Sequence, residues 1–401
     1  MRKVGIFHQQ TGSPILPLAV ALAGALAPVA LLPEPMSLDR VTLTDFRNHR
    51  ATRLEGTVQF NLLIGENGAG KTNVLEALSL LAPGRGLRRA ALPEIAGQDG
   101  GGGFAVSADL ASDLGQRGAG EPIRLGTATL PAQPSRRRIQ VNGAEAPAIR
   151  LGEWLSLGWL TPAMDRLFAE GAGARRRFVD RLALALDPAH ARYAARYEAA
   201  LRERNRLLSD PAEPDPRWLE AIEAHLAEAG SALAAGRATL ITALAEALAA
   251  LPEGPIARPA LTYRPGGPRE PAALSAALAN GRRRDRAARR TLTGPHRDEI
   301  EVTLAGKGQP AATCSTGEQK AMLIAITLAH ATLVGRERPR ILLLDEVAAH
   351  LDPLRRAALF ARLREGSAQV WLTGTEAAPF AEIAGEAAVW RVSAGAAERL
   401  S

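Results

Sequence analysis

Between Arg40 and Phe46 the apolar Val41 and Leu43 alternate with polar neighbours, and the same period of two returns from Val58 through Phe60 to Ile64. Alternation sends successive side chains to opposite faces, so both segments are expected to be strands. A glycine-rich turn and then a helix follow the second. From Pro83 to Gly120 glycine dominates, with Gly100 to Gly103 in a row, and the segment reads as loops between short sheet elements. Arg137 to Ala144 alternates again and closes on Asn142-Gly143, a strong hairpin signal that places it in an antiparallel subsheet.

From about Asp165 the period changes. Tyr193, Tyr197, Leu201 and Leu208 recur near helical spacing, and Leu219, Ile222, Leu226, Ala229 and Leu233 repeat at three and four. The proline-rich stretch from Ser209 to Pro216 interrupts them, which predicts two antiparallel helices joined by a turn. Their stripe is read as packing, without chemistry. After Pro252 to Pro259 and a basic run from Arg282 to Arg290 the pattern returns to sheet. Ile341 to Leu344 is continuously apolar, as a strand buried on both faces requires, and Val370 to Leu372 is another.

Composition narrows the class. A chain of 401 residues with 46% hydrophobic content can bury a substantial core and divide into two lobes. The 49 Lys and Arg against 42 Asp and Glu leave a net charge of +7, which favours a polyanionic partner without proving one. Only Lys3, Lys71, Lys307 and Lys320 are lysines, a bias that fits a GC-rich coding source and makes Lys71 stand out. The lone Cys314 excludes an intrachain disulfide and suits a reducing, cytoplasmic setting. Arg2 and Lys3 precede an apolar run from Ile15 to Leu32 that resembles a signal peptide, but Pro17, Gly24 and Pro28 break it. Because Met36-Ser37-Leu38 leads directly into the first strand, residues 1–35 are expected to be an extension or a misassigned start, with no membrane association.

Three motifs carry chemistry. Gly65-Glu66-Asn67-Gly68-Ala69-Gly70-Lys71-Thr72 satisfies the complete phosphate-loop pattern between a strand and a helix. Loop amides and the helix N-terminus would cradle phosphates, Lys71 would neutralise them, and Thr72 would ligate Mg²⁺. Ile341 to Glu346 is an apolar strand ending in two carboxylates. Alone it could be a strand meeting solvent; with the phosphate loop upstream, Asp345 is expected in the Mg²⁺ shell and Glu346 against the attacking water. Ser315-Thr316-Gly317-Glu318-Gln319, opening a helix, resembles the ABC signature motif, in which Ser315 and Gly317 would offer donors to an ATP held by a second protomer. The plainer alternative is an ordinary capping box. His350-Leu351-Asp352 matches the loop after the catalytic strand of ABC ATPases, and Thr373 stands where their switch histidine usually does. The expected fold is therefore α/β: an ABC-type ATPase head, with a mixed sheet, phosphate loop and antiparallel subsheet, split over residues 37–165 and 288–401 around a helical lobe at 166–287.

The long interval between Lys71 and Ser315 exceeds that of a compact transporter domain and falls short of SMC coiled coils. Met36 to Asn48, Arg175 to Arg181, Tyr197 to Leu208 and the hexapeptide Thr293-Gly294-Pro295-His296-Arg297-Asp298 together resemble the RecF family, over essentially Met36 to the carboxy terminus. The resemblance implies a weak, DNA-stimulated ATPase that dimerises on ATP and Mg²⁺, binds double- and single-stranded DNA at gaps, and helps load RecA with RecO and RecR in repair, replication and the SOS response. Glu346, His350 and Glu318 depart from residues common in the family: Glu346 restores the ABC-type carboxylate, so hydrolysis need not be slower than in relatives, while His350 leaves the detail of subunit communication open. Another ABC-type machine, including a transporter, and an ATP-gated clamp with negligible turnover are the competing readings. Arg136 to Arg138, Arg175 to Arg177 and Arg282 to Arg290 are candidate backbone contacts or solvated faces, and His296 is read as structural.

Overall fold

The computed structural model describes residues 37–97, 101–111, 122–251, 254–334 and 338–400; the extension expected over residues 1–35 lies outside them. The strands are β1 (Ser37–Phe46), β2 (His49–Glu55), β3 (Phe60–Ile64), β4 (Phe104–Ala111), β5 (Ile123–Leu130), β6 (Gln133–Val141), β7 (Ala144–Glu145), β8 (Ser156–Leu160), β9 (Pro259–Arg264), β10 (Glu299–Leu304), β11 (Gln309–Pro310), β12 (Arg340–Leu344), β13 (Gln369–Gly374), β14 (Ala387–Ser393) and β15 (Ala396–Arg399). The principal helices are α1 (Lys71–Ser79), α2 (Ala172–Leu186), α3 (His190–Ser209), α4 (Pro216–Ala249), α5 (Pro271–Ala287), α6 (Thr316–Leu333) and α7 (Pro353–Glu365).

One sheet runs β15-β14-β3-β13-β12-β8, parallel throughout except for β15. Its central strands β3, β13 and β12 are buried on both sides because both sides are covered. Phe60, Leu62, Leu342, Leu344, Val370 and Leu372 face α2, α6, α7 and the far half of α4. Leu63, Ile341, Leu343 and Trp371 face α1 and the second sheet, where Trp371 stacks on Trp390 at 5.7 Å. That second sheet is antiparallel, in the order β2-β1-β4-β5-β6-β7. Asn142 and Gly143, with φ of 51° and 81°, make the tight turn between β6 and β7 that the Asn-Gly pair predicts.

The helical lobe has a core of its own, built from Tyr197, Leu207, Leu219, Ile222, Leu226, Leu233, Leu274 and Leu278. In it Tyr197 meets Gly230 while Arg204 meets Glu223, so α3 and α4 run antiparallel. A Cβ on Gly230 would stand 2.9 Å from the Tyr197 ring, which is why the two helices can approach so closely there. Among the described residues α4 is the one helix long and apolar enough to cross a bilayer. Its apolar side is committed instead to two protein cores, the lobe's at Leu226 and the head's at Leu244, and it buries Glu223 and Arg237.

The glycine-rich interval, expected to hold short sheet elements between loops, contains β4, whose Phe104, Val106 and Leu110 point inward and alternate with Ala105, Ser107 and Asp109. Two elements differ from the reading of the pattern. Strand β2 hides behind its exposed Arg50, Arg53 and Glu55, and α5 behind its basic end, with Leu274 and Leu278 as its only large buried anchors.

Arg204 is fully buried between Glu223, at 3.0 Å, and Asp285, at 2.7 Å. Removing one partner of a buried ionic network strands the others in low dielectric. Arg204→Met is expected to destabilise the protein by about 3–5 kcal/mol in urea unfolding; a loss below ~1 kcal/mol would show that the lobe does not depend on this network.

Candidate nucleotide site

Strand β3 delivers the chain into the loop at Gly65, whose N–H donates to Gly374 O at 3.2 Å, so the loop starts locked to the end of β13. Glu66, Asn67 and Gly68 are exposed, and Gly68 adopts φ 81° with open space where a Cβ would be. Gly70, at φ 118°, caps α1 without any side-chain bond, and the first turn of α1 carries no acid. Its leading amides are thus left to a bound anion. Lys71, only 4% exposed, curls back to donate to Gly65 O at 2.7 Å and Glu66 O at 2.8 Å, spanning the concavity that a phosphate would share.

The floor of this loop comes from the β1–β2 turn. A Cβ on Gly70 would lie 2.6 Å from His49 Nε2. Burial holds the His49 imidazole below its ordinary pKa, partly offset by the carbonyls of Gly70 and Gly395. Its Nε2 lies 3.0 Å from Gly70 O and its Nδ1 2.8 Å from the Thr52 hydroxyl, which itself donates to Gly395 O at 3.0 Å. Asn48 donates to Ala69 O at 3.0 Å and accepts from Asn73, which Arg88 ties to the buried Glu76. Asn48, His49 and Glu76 form a support that the motifs do not reveal; the single clue is a polar, histidine-bearing turn beside a strand.

Across the cleft, β12 ends at Asp345. Thr72 Oγ1 donates to Asp345 Oδ1 at 2.9 Å, and Thr373 Oγ1 donates to the same oxygen at 2.8 Å. Burial pushes the Asp345 carboxyl above its ordinary pKa, an effect the two hydroxyls oppose and the neighbouring Glu346 charge reinforces. The Glu346 amide donates to Thr373 Oγ1 at 2.9 Å, and its backbone sits at φ 52°, in the left-handed region. Strain of that kind, held by neighbours, marks positions where a side chain is aimed for a purpose. A threonine hydroxyl and a buried carboxylate are hard oxygen donors, the set that Mg²⁺ takes together with phosphate oxygens and water, so the residues present fit that ion.

The signature residues lie elsewhere on the chain. Ser315 caps α6 in a capping box with Glu318, and Ser315, Thr316 and Gly317 are exposed. The Lys307 ammonium, followed by the Ser315 amide and hydroxyl, holds the Glu318 carboxyl well below the usual range. Among the described residues, none of 315–318 hydrogen-bonds to the phosphate loop. Asp352 caps α7 by accepting from Arg355 N at 2.9 Å. Within one chain, then, Lys71, Thr72, Asp345 and Glu346 meet, while Ser315 and Gly317 present a helix N-terminus outward.

The sequence profile of the RecF/RecN/SMC N terminal domain matches residues 37–395. A DNA replication and repair protein RecF from Mesorhizobium japonicum is 47% identical over 382 residues, spanning 91% of this chain and 98% of its own. Its counterpart in Brucella suis biovar 1 is 45% identical over 376 residues, with 90% and 96% covered. Among solved structures, the recombination mediator protein RecF-ATPrS in the RecFOR pathway superposes with a TM-score of 0.78 at 22% identity, covering 92% of this chain and 99% of that one. An Smc head domain from Pyrococcus furiosus reaches a TM-score of 0.50 at 16% identity, covering 91% and 96%. The fold is that of an SMC/ABC ATPase head.

The raised Asp345 carboxyl has a signed consequence. A group whose folded pKa exceeds its unfolded value, here 3.8, stabilises fully below that value and loses this contribution as pH rises through the folded one. At about pH 7 the buried anion therefore costs stability, which Asp345→Asn relieves while keeping an acceptor for both threonines. The nucleotide-free variant should melt higher than wild type near neutrality and equally below about pH 4. A melting point at or below wild type near neutrality, in scans over that range, would contradict a buried ionised Asp345.

Proposed function

The chain belongs to the RecF family of DNA replication and repair proteins, and from that premise we propose that it is an ATP-hydrolysing, DNA-binding protein of recombinational repair. What most supports the reading is the junction of Thr72, Asp345, Thr373 and Glu346 beside an uncapped helix N-terminus.

Lys71 exchanges its two carbonyl contacts for the β and γ phosphates of ATP, and the amides of residues 68–72 close around the same oxygens. Mg²⁺, when bound through Thr72 and Asp345, offsets charge on those phosphates. Glu346 accepts a hydrogen bond from the water that attacks the γ-phosphorus. As the new P–O bond forms, the bond to the β–γ bridging oxygen breaks, ADP carries away the electron pair, and the water's proton passes to the carboxylate. Thr373 cannot take a proton as a histidine would. Its hydroxyl fixes Asp345 and the Glu346 amide instead, so it acts as a positioning residue.

The exposed helix start at Ser315 and Gly317 supplies donors to the γ-phosphate bound by a second protomer, giving two composite sites per homodimer. We read residues 37–165 and 288–401 as the head and 166–287 as its lobe. In this reading the ATP-bound dimer clamps double-stranded DNA at the edge of a single-stranded gap in the cytoplasm. RecO and RecR join it there in loading RecA, and hydrolysis releases the clamp.

Ser315→Arg should leave ATP binding intact and abolish ATP-dependent dimers in analytical ultracentrifugation; normal dimers would remove Ser315 from the interface. Glu346→Gln keeps the size of the side chain but not its basicity, so turnover should fall by about 10²- to 10⁴-fold while ATP still binds. The dimer should then accumulate and hold duplex or gapped DNA longer than wild type. Near-wild-type turnover would reject the role of Glu346, and lost turnover without longer-lived DNA complexes would reject release by hydrolysis.

A further inference from the structure

The basic runs divide once their partners are known. Arg137 is enclosed by the carbonyls of Leu80, Ala82 and Gly84, and burial lowers its pKa to about 10. Arg175 pairs with Glu299, Arg282 with Glu223, and Arg286 caps the carbonyls of Asp210, Pro211 and Ala212. These arginines hold the fold together. A polar depression of about 190 Å³ on the outer face of the antiparallel sheet holds Arg40, Arg53 and Arg124, yet Glu55 and Asp109 answer all three.

The surface around Thr293 to Asp298, at the root of the lobe, is different, because Asp298 is buried and Glu299 and Glu301 already have arginine partners. Asp298, 1% exposed, takes Arg237 at 2.8 Å, the Tyr263 hydroxyl and the Gly266 amide. Glu299 is held by Arg175 and Glu301 by Arg264. The cations beside them stay outside. Arg176 donates only to the backbone oxygen of Asp298, and its guanidinium converges with that of Arg177 over Gly173, whose Cβ position lies 3.7 and 3.3 Å from the two. Arg297 is exposed and passes against Gly266, with its Cβ 2.5 Å from where a Gly266 Cβ would be. Arg284 reaches Thr293 Oγ1 at 3.1 Å and lies 3.9 Å from the buried Asp285 carboxylate. Arg176 and Arg297 both bear on one imidazole, since after burial their charges help to hold His296 below its ordinary pKa. Arg269 is exposed on the adjoining turn. Among the described residues, Arg177, Arg269 and Arg297 have no carboxylate partner.

We propose that this surface binds the phosphodiester backbone of nucleic acid, with Arg176, Arg177, Arg269, Arg284 and Arg297 as its phosphate donors. The proposal rests on the DNA-binding reading above and adds where the contact is made. Cations in excess over the acids beside them are relieved by an anion that brings several charges at a fixed spacing. An acidic protein fits less well, because a protein interface needs an apolar centre. The exposed large apolar side chains Leu130, Trp218, Leu354 and Leu400 are none of them in this patch. Guanidinium groups without a shaped pocket contact phosphates and leave the bases unread, so binding here is sequence-neutral.

The test compares binding of a short random-sequence duplex, with ATP present, across a salt series. The variants are the triple Arg177→Gln, Arg269→Gln, Arg297→Gln; the same triple with lysine; and Arg40→Gln, Arg53→Gln, Arg124→Gln on the sheet. Each phosphate that is no longer neutralised flattens the log–log salt slope by about 0.9. The first triple should therefore lose about two to three units of slope and bind at least about tenfold more weakly, with its melting point and DNA-free ATP turnover unchanged. Lysine should restore the slope, and the sheet triple should keep it. A wild-type protein that binds no duplex would sink the DNA-binding reading itself and this site with it. Wild-type binding with an unchanged slope in the first triple, or an equal loss in the sheet triple, would overturn this site alone. Displacement of the duplex by poly-L-glutamate at matched charge would show that the patch selects acidic peptide rather than phosphodiester.

Discussion

Everything in the head hangs on the pairing of β3 with strands from the far end of the chain. Phe60 is opposite Val370 on one side and Ala387 on the other, and Leu38 is tied to Gln369, 331 positions away. Until that pairing closes, Thr72, Asp345 and Thr373 belong to unrelated stretches of chain. Once it closes, two hydroxyls, from α1 and β13, share the carboxylate that follows β12. Closure entropy grows only with the logarithm of the loop, so the long helical insertion adds little to what a shorter one would cost. The head's covered sheet, apolar on both faces, supplies the burial that offsets the cost.

Much of this was legible along the chain. The phosphate loop, the strand ending in Asp345 and Glu346, the Asn142-Gly143 hairpin and the paired lobe helices each follow from a local rule, and the local rule matched the packed environment. What was hidden depends on distance. Strand β2 looks charged because its outer face is solvated, although His49, Thr52 and Leu54 are buried. The supporting role of Asn48 and His49 exists only because Gly395 brings the last hairpin against them; a Cβ there would lie 1.8 Å from Asn48 O. The arginine runs were ambiguous for the same reason. Whether an arginine is structural depends on partners that are sequence-remote, as Glu299 is for Arg175, 124 positions on, and the Leu80 and Ala82 carbonyls are for Arg137.

The hexapeptide at Thr293 to Asp298 shows both sides of this. Gly294, at φ 128°, passes under the Tyr197 hydroxyl, which is bonded to His296 Nδ1 at 2.7 Å. Burial is the main influence pushing the Tyr197 phenol upward, so it stays a neutral donor or acceptor throughout the physiological range. Asp298 shares Arg237 with Asp180, and His190 closes on Asp180 in turn. The segment thus rivets α2, α3 and α4 to β9 and β10. The same inward commitment of Asp298 leaves Arg297 facing out.

Helix α4 crosses from one core to the other without a break: Leu219 and Leu226 are inside the lobe, Leu240 and Leu244 inside the head. At 34 residues it is about 50 Å long, a stiff rod gripped at one end by the ATPase sheet. Rods amplify angle into distance. A rocking of about 5° at the gripped end sweeps the exposed Trp218, near the other, through roughly 3 Å. The length of the rod alone sets that gain between a tilt at the head and a displacement at the lobe's tip.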